Sequence, residues 1–469
     1  MALFSAPIAT AGLAALLLAT SLSAQTEDES VSSNQVSKVR IVRLSEVRGA
    51  VLLDRNNGRG FEDATANLPI VEGSRLQTGT GVAEVEFEDN STMRLAPNSV
   101  VEFPQLERLQ LGSTMTSVQL LKGMAYVSLL KTRGDEFRLL FGQQKLLLPP
   151  ASRIRLKVDG SEAQLAVLDG TLHLEGASSA MDVPKKKTVT FNIAGQAEPK
   201  VAKDIAEDPY DTWDKEATGY HARTAALGAV SNSPYSYGLN DMSYYGSFMN
   251  VGGCGSMWRP YFASAAWDPY SNGSWAWYSG AGYSWVSPYP WGWTPYHSGT
   301  WSYCAGTGWG WLPGGSWYGL NNTIALGARN GPGNPPQRPV SPPRVGQPTM
   351  MAVNLRPLVH SEAASPESFV LRRDSAGLGV PRGGLGKLDK LSQQAAGRGT
   401  ASVPIYQSAP SAVANNRNGS SPMAPTAIHR GSPPPSATGT QTPGQSGSYG
   451  GRSASPAGPS QAPGPSRSH

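Results

Sequence analysis

Charge is scarce in this 469-residue chain: Asp, Glu, Lys and Arg make up 16% of it, against about 25% in an average soluble domain. Hydrophobic residues reach only 39%, below the roughly 45–50% of a typical globular protein. Part of the chain therefore lacks the apolar surface needed to offset the entropy of ordering it, which argues against one compact enzyme of this length. Catalytic motifs are missing too. There is no His-Glu-x-x-His, no Gly-x-Ser-x-Gly, no Gly-x-x-x-x-Gly-Lys and no Cys-x-x-Cys, and the six histidines are scattered. The expectation is a non-enzymatic protein with no metal site and no cofactor.

Long apolar runs are absent except at the N-terminus, where Ile8 to Leu22 centres on Leu16-Leu17-Leu18. Small residues follow through Ala24, and the chain turns polar at Gln25-Thr26-Glu27. This is the pattern of a signal peptide, residues 1–24. It predicts an exported protein, periplasmic, outer-membrane-associated or extracellular, with no transmembrane span in the mature chain.

Glycine (53) and proline (38) are abundant, and 22 of the prolines lie from residue 330 onward. That stretch also holds 13 Lys and Arg against 4 Asp and Glu, so the net charge of +5 hides a basic tail. Residues 319–469 read as a disordered Pro/Gly/Ser-rich tail, with a short ordered patch conceivable around Ser368–Arg373. A diffuse basic tail is not a nucleic-acid groove, and no specific nucleic-acid partner is expected.

Residues 39–176 read as all-β. Alternation is clean in Val82-Ala83-Glu84-Val85-Glu86-Phe87, with Val85 and Phe87 on one face and the glutamates on the other. It recurs in Val100–Phe103, Ala125–Leu129 and Ile154–Val158, with turn signals at Asn56-Asn57-Gly58, Asp89-Asn90-Ser91 and Pro97-Asn98. Strands with short turns at this length can close one core as a sandwich, roll or β-helix. The elements Glu72-Gly73-Ser74-Arg75-Leu76-Gln77-Thr78-Gly79, Ala83 to Ser91 and Leu95-Ala96-Pro97-Asn98-Ser99, with the later Lys122-Gly123 and Asp169-Gly170, resemble the FecR-type domain over most of 44–176. Ser152-Arg153-Ile154-Arg155 stands where that family commonly has Gly-Thr-x-Phe. Its sigma-regulator members carry a cytoplasmic N-terminal domain and a membrane helix. Neither is recognised here, so signalling to a cytoplasmic sigma factor does not follow from the resemblance.

Residues 177–243 read as a linker containing one helix, 208–228, capped by Asp208 and ended by Gly228. Tyr210, Trp213, Ala217, Tyr220 and Thr224 fall on one face, a packing stripe. Beyond it, eleven of the 12 tryptophans lie between Trp258 and Trp317. Comparing the chain with itself matches Trp267 to Trp293, Trp275 to Trp301 and Trp285 to Trp311, and an earlier copy runs from Gly246-Ser247-Phe248 to Trp258. Each copy reads as a hairpin, giving a three-copy aromatic module over 244–318. Its order, from Tyr210-Asp211-Thr212-Trp213 through Tyr245-Gly246-Ser247-Phe248 to Trp311-Leu312-Pro313-Gly314, resembles an uncharacterised set of exported bacterial proteins with a FecR-like domain and a Trp/Tyr/Gly/Pro-rich segment.

The fold class expected is thus mainly β, with a FecR-like domain, a connecting helix, aromatic hairpins and a long tail. Between Gly246 and Tyr318 the only charged residues are Arg259 and Asp268, so recognition there would rest on ring stacking and neutral hydrogen bonds. The candidate ligand-binding rings are Trp275, Trp277, Tyr283, Trp285, Trp301, Tyr303, Trp309 and Trp311. The competing reading makes the same rings a core, since the segment has few aliphatic side chains. His297 reads as a solvent-exposed turn residue. Cys254 and Cys304, the only cysteines, are expected to form a disulfide, as export would place them in an oxidising compartment. The function expected is a cell-envelope binding or scaffolding protein whose partner is an envelope protein or glycan. Carbohydrate binding and envelope signal sensing stand as alternatives.

Overall fold

The computed structural model describes residues 39–109, 112–131, 134–175, 180–194, 198–224, 235–314, 316–321, 351–352, 363–365 and 368–404. The expected signal peptide and the tail beyond residue 404 lie outside them. All described residues fall within one compact unit, Met1–Asn415.

The N-terminal domain is built on a 15-stranded sheet folded over on itself, with a separate two-stranded sheet of Thr171–Glu175 and Ala180–Pro184 packed on its core. Its hinge is the long strand Thr114–Ser128. The first half of that strand pairs with Val100–Arg108 and, in parallel, with Glu136–Phe141. Its second half pairs with Thr92–Leu95 and Arg153–Asp159. Gly123 sits where the strand changes partners. Its φ of +86° is open to glycine, and a Cβ there would run into Ser99, so the Lys122-Gly123 element marks the bend. The two layers enclose one aliphatic core that includes Leu44, Val85, Leu95, Val101, Val127, Leu139, Leu156 and Leu165. Asn56, Asn90 and Asn98 take left-handed conformations at the turns marked in the sequence.

The sheet does not stop at residue 176. Lys187–Asn192 pairs with Glu162–Asp169, and Lys200–Ala202 adds the edge. The stretch from 177 is therefore partly domain and not only linker, because Val189 and Phe191 complete the core. Helix α1 spans Asp211–Thr224, inside the expected 208–228, and residues 225–228 lie outside the described set. Trp213 and Tyr220 of its stripe are buried.

Three hairpins follow helix α2 (Leu239–Tyr245). They are Gly246–Val251 with Gly255–Pro260, Ser274–Tyr278 with Gly282–Val286, and Thr300–Cys304 with Gly308–Leu312. At the same point of each hairpin two rings face across the strands: Phe248 and Trp258, Trp275 and Trp285, Trp301 and Trp311. A glycine opens each copy, and a Cβ at Gly246, Gly273 or Gly299 would overlap the indole of Trp258, Trp285 or Trp311. The repeat thus encodes a ring laid on bare backbone. The first and third hairpins join through Trp258 and Trp311 into a four-stranded sheet, and α3 (Thr294–His297) links the second to the third.

The expectation of a disordered tail from 319 is corrected at Gly319–Asn321, a helical turn that buries Leu320, at Met351–Ala352, which pairs with Ser274–Trp275, and over 368–404. Ser368–Arg372 and Thr400–Pro404 pair antiparallel, and α4 (Leu388–Arg398) joins them. Leu371, Val380, Leu385 and Leu388 are buried in one cluster with Trp258, Trp267 and Trp291. Sparse apolar residues in a Gly-rich stretch read as unable to make a core; they do not need one, because the hairpins supply it.

Cys254 and Cys304 are joined, with their Cα atoms 6.2 Å apart and a sequence separation of 50. The bond ties the turn of the first hairpin to the end of a strand in the third. A closed loop of this length stabilises by roughly 4 kcal/mol in the chain-entropy model. Cys254→Ser/Cys304→Ser protein should unfold at a clearly lower denaturant midpoint than the oxidised parent, and reductant should have no further effect on it.

Candidate functional site

The sheet face carrying Glu84 and Glu86 is not solvated. All five residues of Val82–Glu86 are buried, since α1, α2 and the 368–404 segment cover that face. Backbone register creates the pairs: Arg43 lies directly opposite Glu86, and Glu84 opposite Arg94. Cross-strand neighbours of opposite charge sit close enough to bond. Arg43 Nη1 lies 2.8 Å from Glu86 Oε2, and Arg94 Nε 2.7 Å from Glu84 Oε2. The next positions along the row are Tyr126 and Arg155.

Helix α1 brings the complementary charge down onto this row. Asp214 takes Arg94 Nη1 at 2.7 Å and Arg153 Nε at 3.2 Å. Asp211 takes Arg155 Nη1 at 2.6 Å and accepts from the Tyr126 hydroxyl at 2.9 Å. From α2, Asp241 meets Arg43 at 2.7 Å and accepts from the Tyr220 hydroxyl at 2.7 Å. Arg382 enters from the C-terminal segment, with Nη1 2.5 Å from Glu84 and Nε 2.8 Å from Asp241. His221 Nε2 stands 3.0 Å from Glu84, and its Nδ1 lies 3.0 Å from Asn240 Nδ2.

These contacts set the protonation states. Burial by itself would raise the Glu84 carboxyl, but Arg382, His221 and Arg94 outweigh it and hold it well below its ordinary value. Asp241 is likewise lowered against its burial, by Arg382 and Arg43. The network is therefore ionised and mutually neutralising, which a buried cluster requires. It also reaches the aromatic module. Arg43 Nη2 donates to the Pro290 carbonyl at 2.7 Å, and Asn67 Nδ2 donates to Ser287 and Tyr289 carbonyls at 2.9 and 2.7 Å. The Ser45 hydroxyl also donates to Glu84, at 2.7 Å, and arrays of this kind position the elements that carry them.

The candidate rings divide. Trp275, Trp285, Trp301, Trp309 and Trp311 are buried, which corrects their assignment as a ligand platform. Trp275 and Trp285 pack edge to face with centroids 5.3 Å apart, and Trp301 packs on Trp267 and Trp291. Around Trp291, which stacks on Tyr289 at 5.0 Å, rings take the place of an aliphatic core. Trp277, Tyr283 and Tyr303 remain half-buried. His297 is not an exposed turn residue either. It is 1% exposed, Nδ1 lies 2.8 Å from the Gly319 carbonyl, and Trp293 and Trp317 flank it. Burial, assisted by the charge of Arg43, pulls it down to about 4 against the opposing Gly319 bond.

An open concavity lies elsewhere, at the mouth of the β domain. A cleft of about 470 Å³ is lined by Phe87, Phe137, Leu130 and Tyr235 with Arg40, Glu88, Arg108 and Asp135. Arg40 grips Glu88 through two nitrogens, each at 2.8 Å. Arg108 lies 4.6 Å above the Tyr235 ring, and Asp135 accepts from Thr114 N and Oγ1. The sequence offered no sign of this site, because its lining comes from six separate stretches of chain. Among the described residues no group of His, Cys, Asp and Glu could hold a metal ion, and no helix is long and apolar enough to cross a membrane.

Comparison with known families places a FecR protein domain at residues 74–173 and a domain of the family of unknown function DUF6600 at residues 239–329. No curated protein matches the chain. Two crystal structures of a protein from Parabacteroides distasonis ATCC 8503, assigned as an anti-sigma factor, align at 13% and 15% identity, each with a TM-score of 0.24. The alignments cover 28% of this chain and 60% of those chains, so this chain spans a little under two thirds of their length. At that score the likeness carries no weight.

Two tests follow from the buried groups. Trp285→Ala empties a site under Tyr270 and Trp275 and should cost about 3–5 kcal/mol in denaturant unfolding. An unchanged midpoint would mean that the ring is not core. His297 has a folded value of about 4, below the roughly 6.5 of an unfolded chain. The unfolded state therefore takes up the proton first as pH falls, and stability that is complete above 6.5 is lost between 6.5 and 4, by about 3 kcal/mol. Glu84 and Asp241 add a further loss below the ordinary carboxylate range, as their lowered groups are protonated. The unfolding midpoint should decline from pH 7 to 4.5 in the parent and much less in His297→Gln.

Proposed function

We propose that this is a non-enzymatic, exported envelope protein that binds a protein partner through the cleft at Tyr235 and Phe137, with the aromatic module acting as the body that braces it. The observation carrying this reading is the division of labour between rings and cleft. Most of the tryptophans that suggested stacking on a glycan are consumed as core. The cleft combines an apolar floor with converging charged groups, the usual make-up of a binding site. Its carboxylates outnumber its guanidinium groups, with Glu88, Asp89, Asp135 and Glu136 against Arg40 and Arg108, which suits a cationic, partly apolar segment of a partner.

A second reading, reception of an envelope signal, is favoured by the FecR domain at 74–173. It is compatible with the same cleft, since a sensor must also bind.

The test uses Leu130→Glu. Leu130 is 47% exposed at the cleft, so the change should leave the unfolding midpoint within about 0.5 kcal/mol of the parent's stability. Protein recovered from envelope extract on immobilised parent should be lost on the variant, and protease treatment of the extract should abolish it. Retention surviving protease but not glycan hydrolase would replace the protein partner with a carbohydrate. Equal capture by parent and variant would move the site away from the cleft.

A further inference from the structure

Residues 374–388 run across a surface built by α1, α2, the first hairpin and the loop at Trp291. The manner of contact resembles peptide recognition more than domain packing. The receptor side reads backbone: Trp291 Nε1 donates to the Ala376 carbonyl at 2.7 Å, and the Tyr245 hydroxyl to the Val380 carbonyl at 3.0 Å. The Tyr244 hydroxyl donates to the Leu385 carbonyl at 2.8 Å and stands 2.9 Å from the Leu385 N–H. Ala376 N donates in turn to the Phe262 carbonyl at 3.1 Å. Side chains add selectivity, with Val380, Leu385 and Leu388 entering the aromatic cluster. Arg382 lies over the Tyr220 ring at 4.8 Å and makes a two-pronged contact with Asp241. Main-chain bonds for affinity plus spaced pockets for side chains are how extended segments are bound.

Two further facts separate this segment from ordinary core. The sequence between Asn321 and Met351 is far longer than the roughly 4–6 residues of a usual connection and is rich in proline and glycine, before Met351–Ala352 pairs with Ser274–Trp275 and Ala363–Ser365 with Ser368–Phe369. The surface is also not filled by its occupant. A cavity of about 420 Å³ continues beside Arg382, lined by Arg48, Trp213, Phe369 and Pro381.

We propose that this surface is a docking groove for an apolar-Pro-Arg segment, that residues 374–388 are its ligand in cis, and that the same segment of a second copy of this chain can take its place. The groove is distinct from the cleft at Tyr235 and does not depend on that assignment. Arg382 is the recognition group: two buried carboxylates of the groove, Glu84 and Asp241, lose a neutralising partner when it leaves, so a segment lacking a guanidinium at that position is rejected. Exchange between copies keeps every contact and alters only which chain supplies the segment, the condition for swapping at low cost.

The experiment takes the full chain with a protease recognition sequence inserted between Gly333 and Asn334, folded first and then cut. The two pieces should co-elute, with the far-ultraviolet and tryptophan spectra of the uncut protein. A fluorescent synthetic peptide spanning 368–404 should exchange into the cut protein, and the same peptide carrying Arg382→Gln should compete at least tenfold more weakly. Uncut chains bearing two different tags should co-purify after mixing at high concentration, and chains carrying Arg382→Gln should not. Loss of folded spectra on cutting would make the segment core and overturn the proposal. So would spontaneous separation of the pieces, equal competition by the Arg382→Gln peptide, or failure of the tagged chains to co-purify.

Discussion

A row of charges sealed inside the protein holds its parts in register. Arg43 faces Glu86 and Glu84 faces Arg94 because antiparallel pairing puts them there. Once that face is covered, neither member can be left alone, since an unpaired buried ion is costly and a paired one is tolerable. Asp211 and Asp214 on α1, Asp241 on α2 and Arg382 from the C-terminal segment are each required by a charge already on the sheet. The network contributes alignment more than net stability. A helix displaced by one turn would leave guanidinium groups buried without carboxylates, so the ions select one arrangement of four otherwise separate stretches.

The aromatic repeat solves the opposite problem. It has few aliphatic side chains and few charges, so its three hairpins bury rings against rings, with glycines cleared away beneath Trp258, Trp285 and Trp311. Rings used in this way cannot also stack on a ligand. That consequence moves the functional question from the tryptophans to the surfaces they brace, namely the cleft beside Tyr235 and the groove around Arg382. Both are assembled from distant stretches, and both combine apolar floors with committed charges.

The two modules behave as one body because the sheet's ions reach the module's backbone. Arg43 and Asn67 bond the carbonyls of Ser287, Tyr289 and Pro290, and the Tyr278 hydroxyl donates to the Pro69 carbonyl at 2.7 Å. A carbonyl in a connecting loop has no ladder partner of its own, so a side chain from the neighbouring domain satisfies it.

Sequence alone determined whatever depends on local periodicity. Alternation and turn residues marked the β domain, the 26-residue phase marked the hairpins, and helical spacing marked α1. The resemblances named both modules from ordered motifs. Tertiary structure decided which side of each pattern is wet. Glu84 and Glu86 alternate with Val85 as a solvated strand face would, and nothing within that strand announces that α1 and Arg382 will cover it. His297 follows a Pro-Tyr turn and looks exposed until Trp293 and Trp317 close around it. Residues 368–404 have too little apolar content to fold alone, and they are ordered because the rings of another segment receive them. Burial depends on what arrives from elsewhere in the chain, and a strand's own spacing holds no record of it.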